Sequence, residues 1–168
     1  MLKDRIKEAE LNVKNYLEEG LLKKVEPKKE IINVLINNAE ESLEELKTIK
    51  SSLWRIVIAY YSMFYIANAV LLKNGYKIGD KISHKVTADS LIVFIRNKLK
   101  DELLSSYEEA KGEALEGIKA DEIIKAFDYE RKKRSFFQYT TTEKAKENKA
   151  KTSEKRAKEF MFEMKKLL

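Results

Sequence analysis

The sequence has no cysteine, one proline, five glycines and one histidine, and each shortage excludes a class of protein. Without cysteine there is no disulfide scaffold, no thiolate zinc site and no thiol nucleophile. One proline and five glycines are too few for an all-β sandwich, which needs a turn signal every ~8–12 residues. One histidine excludes a histidine-rich metal site, and no spaced set of Asp and Glu residues indicates another. We therefore expect neither a metal ion nor another cofactor.

Apolar residues recur at three- and four-residue intervals along most of the chain, which is the pattern of amphipathic helices. We expect an all-α, antiparallel (up-down) bundle of five or six helices that forms one domain, residues 1–168. Gly112 should break a helix, and no stretch alternates like a strand. The predicted helices are 2–22, 28–50, 51–73, 83–98, 113–137 and a last one ending at 168, which makes six without a further short segment at 100–111. A loop is predicted at 76–82 and a polar connection at 140–148.

The third predicted helix contains a 20-residue apolar stretch, Leu53–Leu72, which is long enough to cross a membrane. Arg55, Asn68 and several tyrosines interrupt it, and no second stretch resembles it, so we interpret it as the buried central helix of a bundle. Three of these tyrosines, at positions 60, 61 and 65, are then core residues rather than an aromatic binding box. The charged N-terminus has no apolar signal region, so the prediction is a cytoplasmic protein without membrane contact.

Positive charge is concentrated near the C-terminus. Residues 130–168 hold 13 Lys/Arg and 6 Asp/Glu, a net charge of +7, whereas residues 1–129 hold 21 and 22, a net charge of −1. Such a basic segment indicates a polyanionic partner such as RNA or a nucleotide. The alternative is a solvated, lysine-rich helix face, because Glu143, Glu147, Glu154 and Glu159 are interleaved with the lysines.

The richest candidate site lies at the start of this segment. On a helical wheel Phe127, Arg131, Arg134 and Gln138 fall within an arc of about 60°, so an apolar stripe becomes basic without changing face. Burying an unpaired guanidinium is costly, so the arginines of this face should line a cleft, pair with a carboxylate or lie at an interface. The alternative is an ordinary helix end, where they meet solvent or Glu side chains. Cations followed by three aromatic residues suit phosphate contacts with base stacking. The candidate phosphate-binding residues are Arg131, Lys133, Arg134 and Gln138.

Three stretches of the chain resemble the HEPN superfamily of helical bundles, in particular its small archaeal and bacterial single-domain members. Residues 59–67, Ala-Tyr-Tyr-Ser-Met-Phe-Tyr-Ile-Ala, are similar to a Tyr-Tyr-x-Met-Phe-x-x-Ala helix of that group. Residues 81–84, Lys-Ile-Ser-His, are similar to its Lys-x-Ser/Thr-His helix start. Residues 134–139, Arg-Ser-Phe-Phe-Gln-Tyr, are similar to a late Arg-x-x-x-Asp-Tyr element. The resemblance covers about 38–168, and 1–25 would then be an extra N-terminal helix.

The resemblance implies a homodimer. In the ribonuclease members of the superfamily, an Arg followed four to six residues later by His lies in a cleft at the dimer interface and cleaves RNA without a metal. Many members are toxins paired with a nucleotidyltransferase antitoxin, and others have been proposed to bind nucleotides. Arg134 matches the arginine, but Tyr139 occupies the place of the histidine and Gln138 that of the aspartate. A tyrosine does not titrate near neutral pH, so the ribonuclease motif is degenerate.

Three functional hypotheses follow. The first is a HEPN-type module that binds RNA or a nucleotide through a basic cleft at a dimer interface and that pairs with a nucleotidyltransferase. The second is an active metal-independent ribonuclease, in which Arg134 stabilises the developing charge and Tyr139 or His84 replaces the missing histidine. The third is a purely structural dimer. His84, at the start of the fourth predicted helix, is either this accessory base or a polar residue bonded to its neighbours.

Overall fold

The computed structural model describes the backbone of residues 3–131 and 136–168, and the side chains of 3–119 and 146–168. In this part of the chain six α-helices and one two-stranded sheet are present, which confirms the predicted all-α bundle. The elements are α1 (Lys3–Glu19), β1 (Leu22–Lys24), α2 (Lys29–Glu45), α3 (Ser52–Lys73), β2 (Tyr76–Ile78), α4 (Ser83–Ser90), α5 (Asp101–Arg131) and α6 (Phe136–Lys165).

Helix α3 is the centre of the bundle, and α2, α4, α5 and α6 all pack against it. Within the described residues it is the one helix long and apolar enough to cross a membrane, and 67% of its apolar window is buried inside the fold. The Ser51 side chain caps its start by accepting a hydrogen bond from the Trp54 N–H (3.4 Å). Gly75, with φ of 88°, follows its end. The prediction of a buried central helix is confirmed.

Contacts between side chains show an up-down arrangement. Helix α3 runs antiparallel to α5. Tyr107 of α5 contacts Tyr60 in α3, and Gly117, later in α5, approaches Leu53, earlier in α3. The Arg156 guanidinium of α6 meets Glu109 and Glu113 of α5. The α3 and α6 helices run in the same direction, as alternate helices of an up-down bundle do: α3 residues Arg55 and Lys73 contact Glu154 and the backbone of Leu168, respectively.

Two three-residue strands were not expected from the sequence. Strand β1 pairs antiparallel with β2, with Leu22 opposite Ile78. The prediction of an unstructured loop over 76–82 is therefore wrong for its first three residues. Such short strands carry too little alternation to be recognised in a sequence. They form because the α1–α2 and α3–α4 connections lie side by side, and Gly79 donates its N–H to Leu21 O (2.9 Å).

Two predicted helix breaks are also wrong. Helix α5 continues through Gly112, and the predicted polar connection at 140–148 is part of α6. A glycine costs a helix only about 1 kcal/mol relative to alanine, and buried residues on either side of Gly112, Tyr107 and Ala114, hold α5 in the core. The predicted helix over 83–98 is present but changes type, since residues 91–95 form a π-helix and 96–98 a 3₁₀ turn.

Helix α1 packs against α4 and the π-helix rather than against α3. Its buried residues Val13 and Tyr16 form a second small core with Leu22 and Val86. The helix ends at Glu19, three residues before the predicted end at 22, and Gly20 follows it with φ of 73°. Helix α1 thereby forms one wall of the groove described next.

Candidate functional site

The predicted phosphate-binding residues lie outside the described side chains, so the structure does not relate them to one another or to His84. This applies to Arg131, Lys133, Arg134, Gln138 and Tyr139. In the sequence they lie at or between the last residue of α5, Arg131, and the first turn of α6, which begins at Phe136. His84 is the one predicted site residue whose side chain is described.

The described part of the basic segment is a solvated helix face. Exposed lysines of α6 pair with glutamates one turn away: Lys151 with Glu147 (3.8 Å), Lys158 with Glu154 (3.0 Å) and Lys155 with Glu159 (4.0 Å). Two further cations, Arg156 and Lys165, pair with glutamates of α5 and α2. Residues 146–168 thus include the exposed, lysine-rich helix face that the solvated-face interpretation predicts, whereas binding of a polyanion stays a prediction. In the sequence, residues 130–145 hold five Lys/Arg and two Asp/Glu, a net charge of +3.

His84 lies in the first turn of α4, where it contacts two tyrosines of α3. The Tyr60 hydroxyl is 2.8 Å from Nδ1 and the Tyr61 hydroxyl is 3.5 Å from Nε2. The Phe64 ring centroid lies 4.7 Å from that of the imidazole. Two of the three stretches that resemble the HEPN superfamily, 59–67 and 81–84, therefore meet at this cluster.

The tyrosines form part of the core, as predicted, but they also hold the imidazole. Tyr60 is 0% exposed, and its hydroxyl lies 3.4 Å from that of Tyr107, which is equally buried. Tyr61 and Tyr65 are half-buried. We assign the hydrogen-bond direction from Tyr107 to Tyr60 to Nδ1, because a buried hydroxyl proton without an acceptor is costly. This direction places the imidazole proton of His84 on Nε2.

Burial sets the protonation states of the cluster. It raises the pKa of Tyr60 and that of Tyr107 far above the ordinary value, so both hydroxyls keep their protons. Burial, and then the positive charge of Lys111, lower the pKa of His84. The imidazole is therefore neutral at neutral pH.

His84 lines an open groove with a volume of about 580 Å³ between α1, α4 and α5. Arg5 and Glu8 of α1 line one side, and Lys111 and Leu115 of α5 line another. The remaining lining residues, all on α4, its N-cap or α5, are Ile82, Lys85, Asp89 and Glu108. Ile82 is 55% exposed and has φ of 45°, a left-handed backbone conformation that a β-branched residue rarely adopts.

The acidic groups of the groove are all bound by one arginine. Arg5 Nη2 lies 2.6 Å from Glu108 Oε1 and 2.7 Å from Asp89 Oδ1, and Nη1 lies 3.7 Å from Glu8 Oε2. Asp89 is 0% exposed and also accepts hydrogen bonds from the Tyr16 hydroxyl (2.8 Å) and Asn12 Nδ2 (3.0 Å). This network fastens α1 to α4 and α5.

Sequence reasoning missed Arg5, Asp89, Glu108 and Lys111 as groove residues. They lie on three helices and are brought together only by packing, so no spacing along the chain marks them. The one available signal was Asp89, a charged residue within the apolar face of its predicted helix. Among the described side chains no group of three or more His, Asp or Glu residues is placed to hold a metal ion.

Comparison of the chain with protein-family models, with curated proteins and with solved structures gives no match.

Proposed function

We propose that this protein is a dimeric HEPN-type module that binds phosphate groups of RNA or of a nucleotide through Arg131, Lys133 and Arg134, assisted by Gln138. The observation that carries the proposal is the contact between Tyr60 and His84 (2.8 Å). It joins two of the three stretches on which the resemblance rests, although 24 residues separate them in the sequence.

The distribution of charge supports the same proposal. Several cations of α6 between 146 and 168 pair with glutamates, as Arg156 and Lys158 do. Residues 130–145 keep a net charge of +3 in the sequence, and they include all four predicted phosphate-binding residues. A segment with net positive charge attracts a phosphate backbone.

Salt-dependent RNA binding tests the proposal. A single-stranded RNA should bind the wild type with an affinity that falls steeply between 50 and 200 mM salt, because phosphate contacts release counterions. Arg134→Ala should weaken binding and reduce the slope of log K against log salt by about 1. Lys151→Ala is the matched control, since it removes one positive charge from an exposed pair of the same segment. Salt-independent binding, or equal losses in the two variants, would contradict the proposal.

The ribonuclease hypothesis has one observation in its favour, namely that His84 is a neutral imidazole beside an open groove. A neutral imidazole can accept a proton in general base catalysis. The test is RNA cleavage by the purified protein in EDTA, with Arg134→Ala and His84→Gln measured beside the wild type. Cleavage lost in both variants establishes this function. RNA binding without cleavage would exclude the ribonuclease and support the binding module. Pull-down with a co-expressed nucleotidyltransferase then tests the predicted partner.

A further inference from the structure

The groove beside His84 is neutral overall, because its three cations equal its three carboxylates in number, but two of the cations are lysines without an ion-pair partner among the described residues. The three carboxylates are all held by the third cation, Arg5. Lys85 and Lys111 form no ion pair with any residue that the structure describes. Lys85 is exposed and Lys111 is half-buried, and Lys111 lies close enough to His84 to lower the pKa of the imidazole.

A neutral hydrogen-bond donor accompanies the two lysines. With Nδ1 accepting from Tyr60, the Nε2–H of His84 has, among the described side chains, only the Tyr61 hydroxyl at 3.5 Å, which is long for a hydrogen bond. A ligand oxygen can therefore take this donor. The start of α4, whose N-cap Ile82 provides no side-chain cap, adds the partial positive charge of a helix N-terminus on the same side.

We propose that this groove is a binding site for a phosphate monoester. Two ammonium groups match the charge of about −1.5 to −2 that a monoester carries at neutral pH. A monoester also has three free oxygens for Lys85, Lys111 and His84, whereas an internal phosphodiester has two. Ile82 and Leu115 are the apolar lining residues against which the esterified group packs. None of the described lining residues belongs to the predicted Arg131–Arg134 segment.

The single histidine of the chain makes the proposal directly measurable, because the imidazole gives one set of NMR signals. Phenyl phosphate is the probe, and phenol is the control that lacks the phosphate. Phenyl phosphate should shift the His84 signals in a saturable way below about 10 mM and raise the His84 pKa, because a bound dianion favours the imidazolium. Phenol should leave both unchanged. An absent response, or an equal response to phenol, overturns the proposal.

Two matched variants locate the site. Lys111→Ala should weaken phenyl phosphate binding roughly tenfold, as expected for losing a charged hydrogen-bond partner. Lys119→Ala, which removes the same charge from an exposed position on the same helix outside the groove, should leave the affinity unchanged. Equal affinities of these two variants would overturn the assignment. Neither substitution removes a fully buried side chain, so both proteins should fold.

The phosphate monoester can belong to a small molecule or to an RNA end, and two oligonucleotides distinguish these sources. A 5′-phosphorylated RNA that shifts the His84 signals more than its 5′-hydroxyl counterpart identifies an RNA end. A response to phenyl phosphate but to neither RNA identifies a small molecule. A response to both RNAs and none to phenyl phosphate would overturn the proposal, since internal phosphodiesters would then bind. Because Arg134→Ala tests RNA binding separately, failure here leaves the proposed function standing.

Discussion

At the scale of single residues, the most consequential group is a buried carboxylate. Asp89 is 0% exposed and is held by Arg5, Tyr16 and Asn12, three residues of α1. Burying a charge is costly unless it is paired and hydrogen-bonded, so Asp89 depends on α1 being in place. The same contact pairs Arg5 with carboxylates of the groove.

Replacing this carboxylate should destabilise the fold. Asp89→Asn removes the charge that Arg5 and Tyr16 meet, and we expect the free energy of unfolding to fall by about 3 kcal/mol, as for other broken buried pairs. Urea denaturation monitored by circular dichroism measures the change. The control is Asp80→Asn at an exposed position, which should change stability by less than about 0.5 kcal/mol. Similar stabilities of the two variants would show that the Asp89 network contributes little.

A second residue links stability to pH. Hydrogen bonds from Arg55 and then Lys158 hold the pKa of Glu154 below its ordinary value. A carboxylate with a lowered pKa stabilises the fold above its unfolded pKa, about 4.3, and this contribution is lost as pH falls through the folded pKa.

Glu154→Gln should therefore flatten the acid side of the stability profile. We expect the wild type to be more stable than the variant at pH 7, by no more than about 1 kcal/mol because the pair is partly exposed. The difference should shrink as pH falls from about 5 towards 3. Urea midpoints across this range measure it, with Glu159→Gln as the exposed control. A difference independent of pH would exclude the ionised carboxylate as its cause.

At the scale of elements, α5 contains two glycines in different environments. A Cβ atom added at Gly112 would meet nothing within 4 Å, so this glycine has no packing role. A Cβ atom at Gly117 would lie 2.7 Å from Leu53 Cδ1 of α3. Gly117 thus permits close approach of α5 to the start of the central helix, whereas Gly112 only weakens the helix.

The two glycines should respond differently to alanine. Gly112→Ala should raise the free energy of unfolding by about 0.5–1 kcal/mol, because alanine loses less conformational entropy in a helix. In Gly117→Ala the same gain is opposed by the shift forced on Leu53, so this variant should be the less stable of the two. Thermal and urea denaturation of both variants measure the difference. Equal stabilisation would mean that Leu53 moves aside without cost.

At the scale of the whole molecule, the predicted phosphate-binding residues and the groove residues belong to different parts of the chain. Residues 130–145 include the end of α5 and the beginning of α6, while the described groove residues belong to α1, to α4 with its N-cap and to the middle of α5. A single copy of these residues offers one Arg134 to RNA. A two-fold dimer would bring two copies of Arg134 into one cleft and thereby double the positive charge of the cleft.

The homodimer is a prediction that light scattering tests. We expect a mass twice that of one chain at micromolar concentration, and dissociation on dilution should weaken RNA binding if the cleft needs both copies. Arg134→Ala should leave the mass unchanged in moderate salt, because it removes charge rather than apolar contact area. A monomer that binds RNA with full affinity would contradict a cleft shared between two chains.

The sequence by itself determined the helical class, the central buried helix and the ends of α3. These follow from local properties: apolar spacing, the Ser51 cap, and the left-handed backbone of Gly75. Tertiary packing decided the continuity of α5 through Gly112, because the core outweighs the small cost of one glycine.

Only the tertiary structure could reveal the strand pair and the groove. Strands β1 and β2 are too short to show a pattern, and they exist because two loops lie side by side. Arg5 meets Asp89, and Tyr60 meets His84, across 84 and 24 residues of sequence. Such partners are specified by which helix faces pack together, and helical spacing within one segment carries no information about the next.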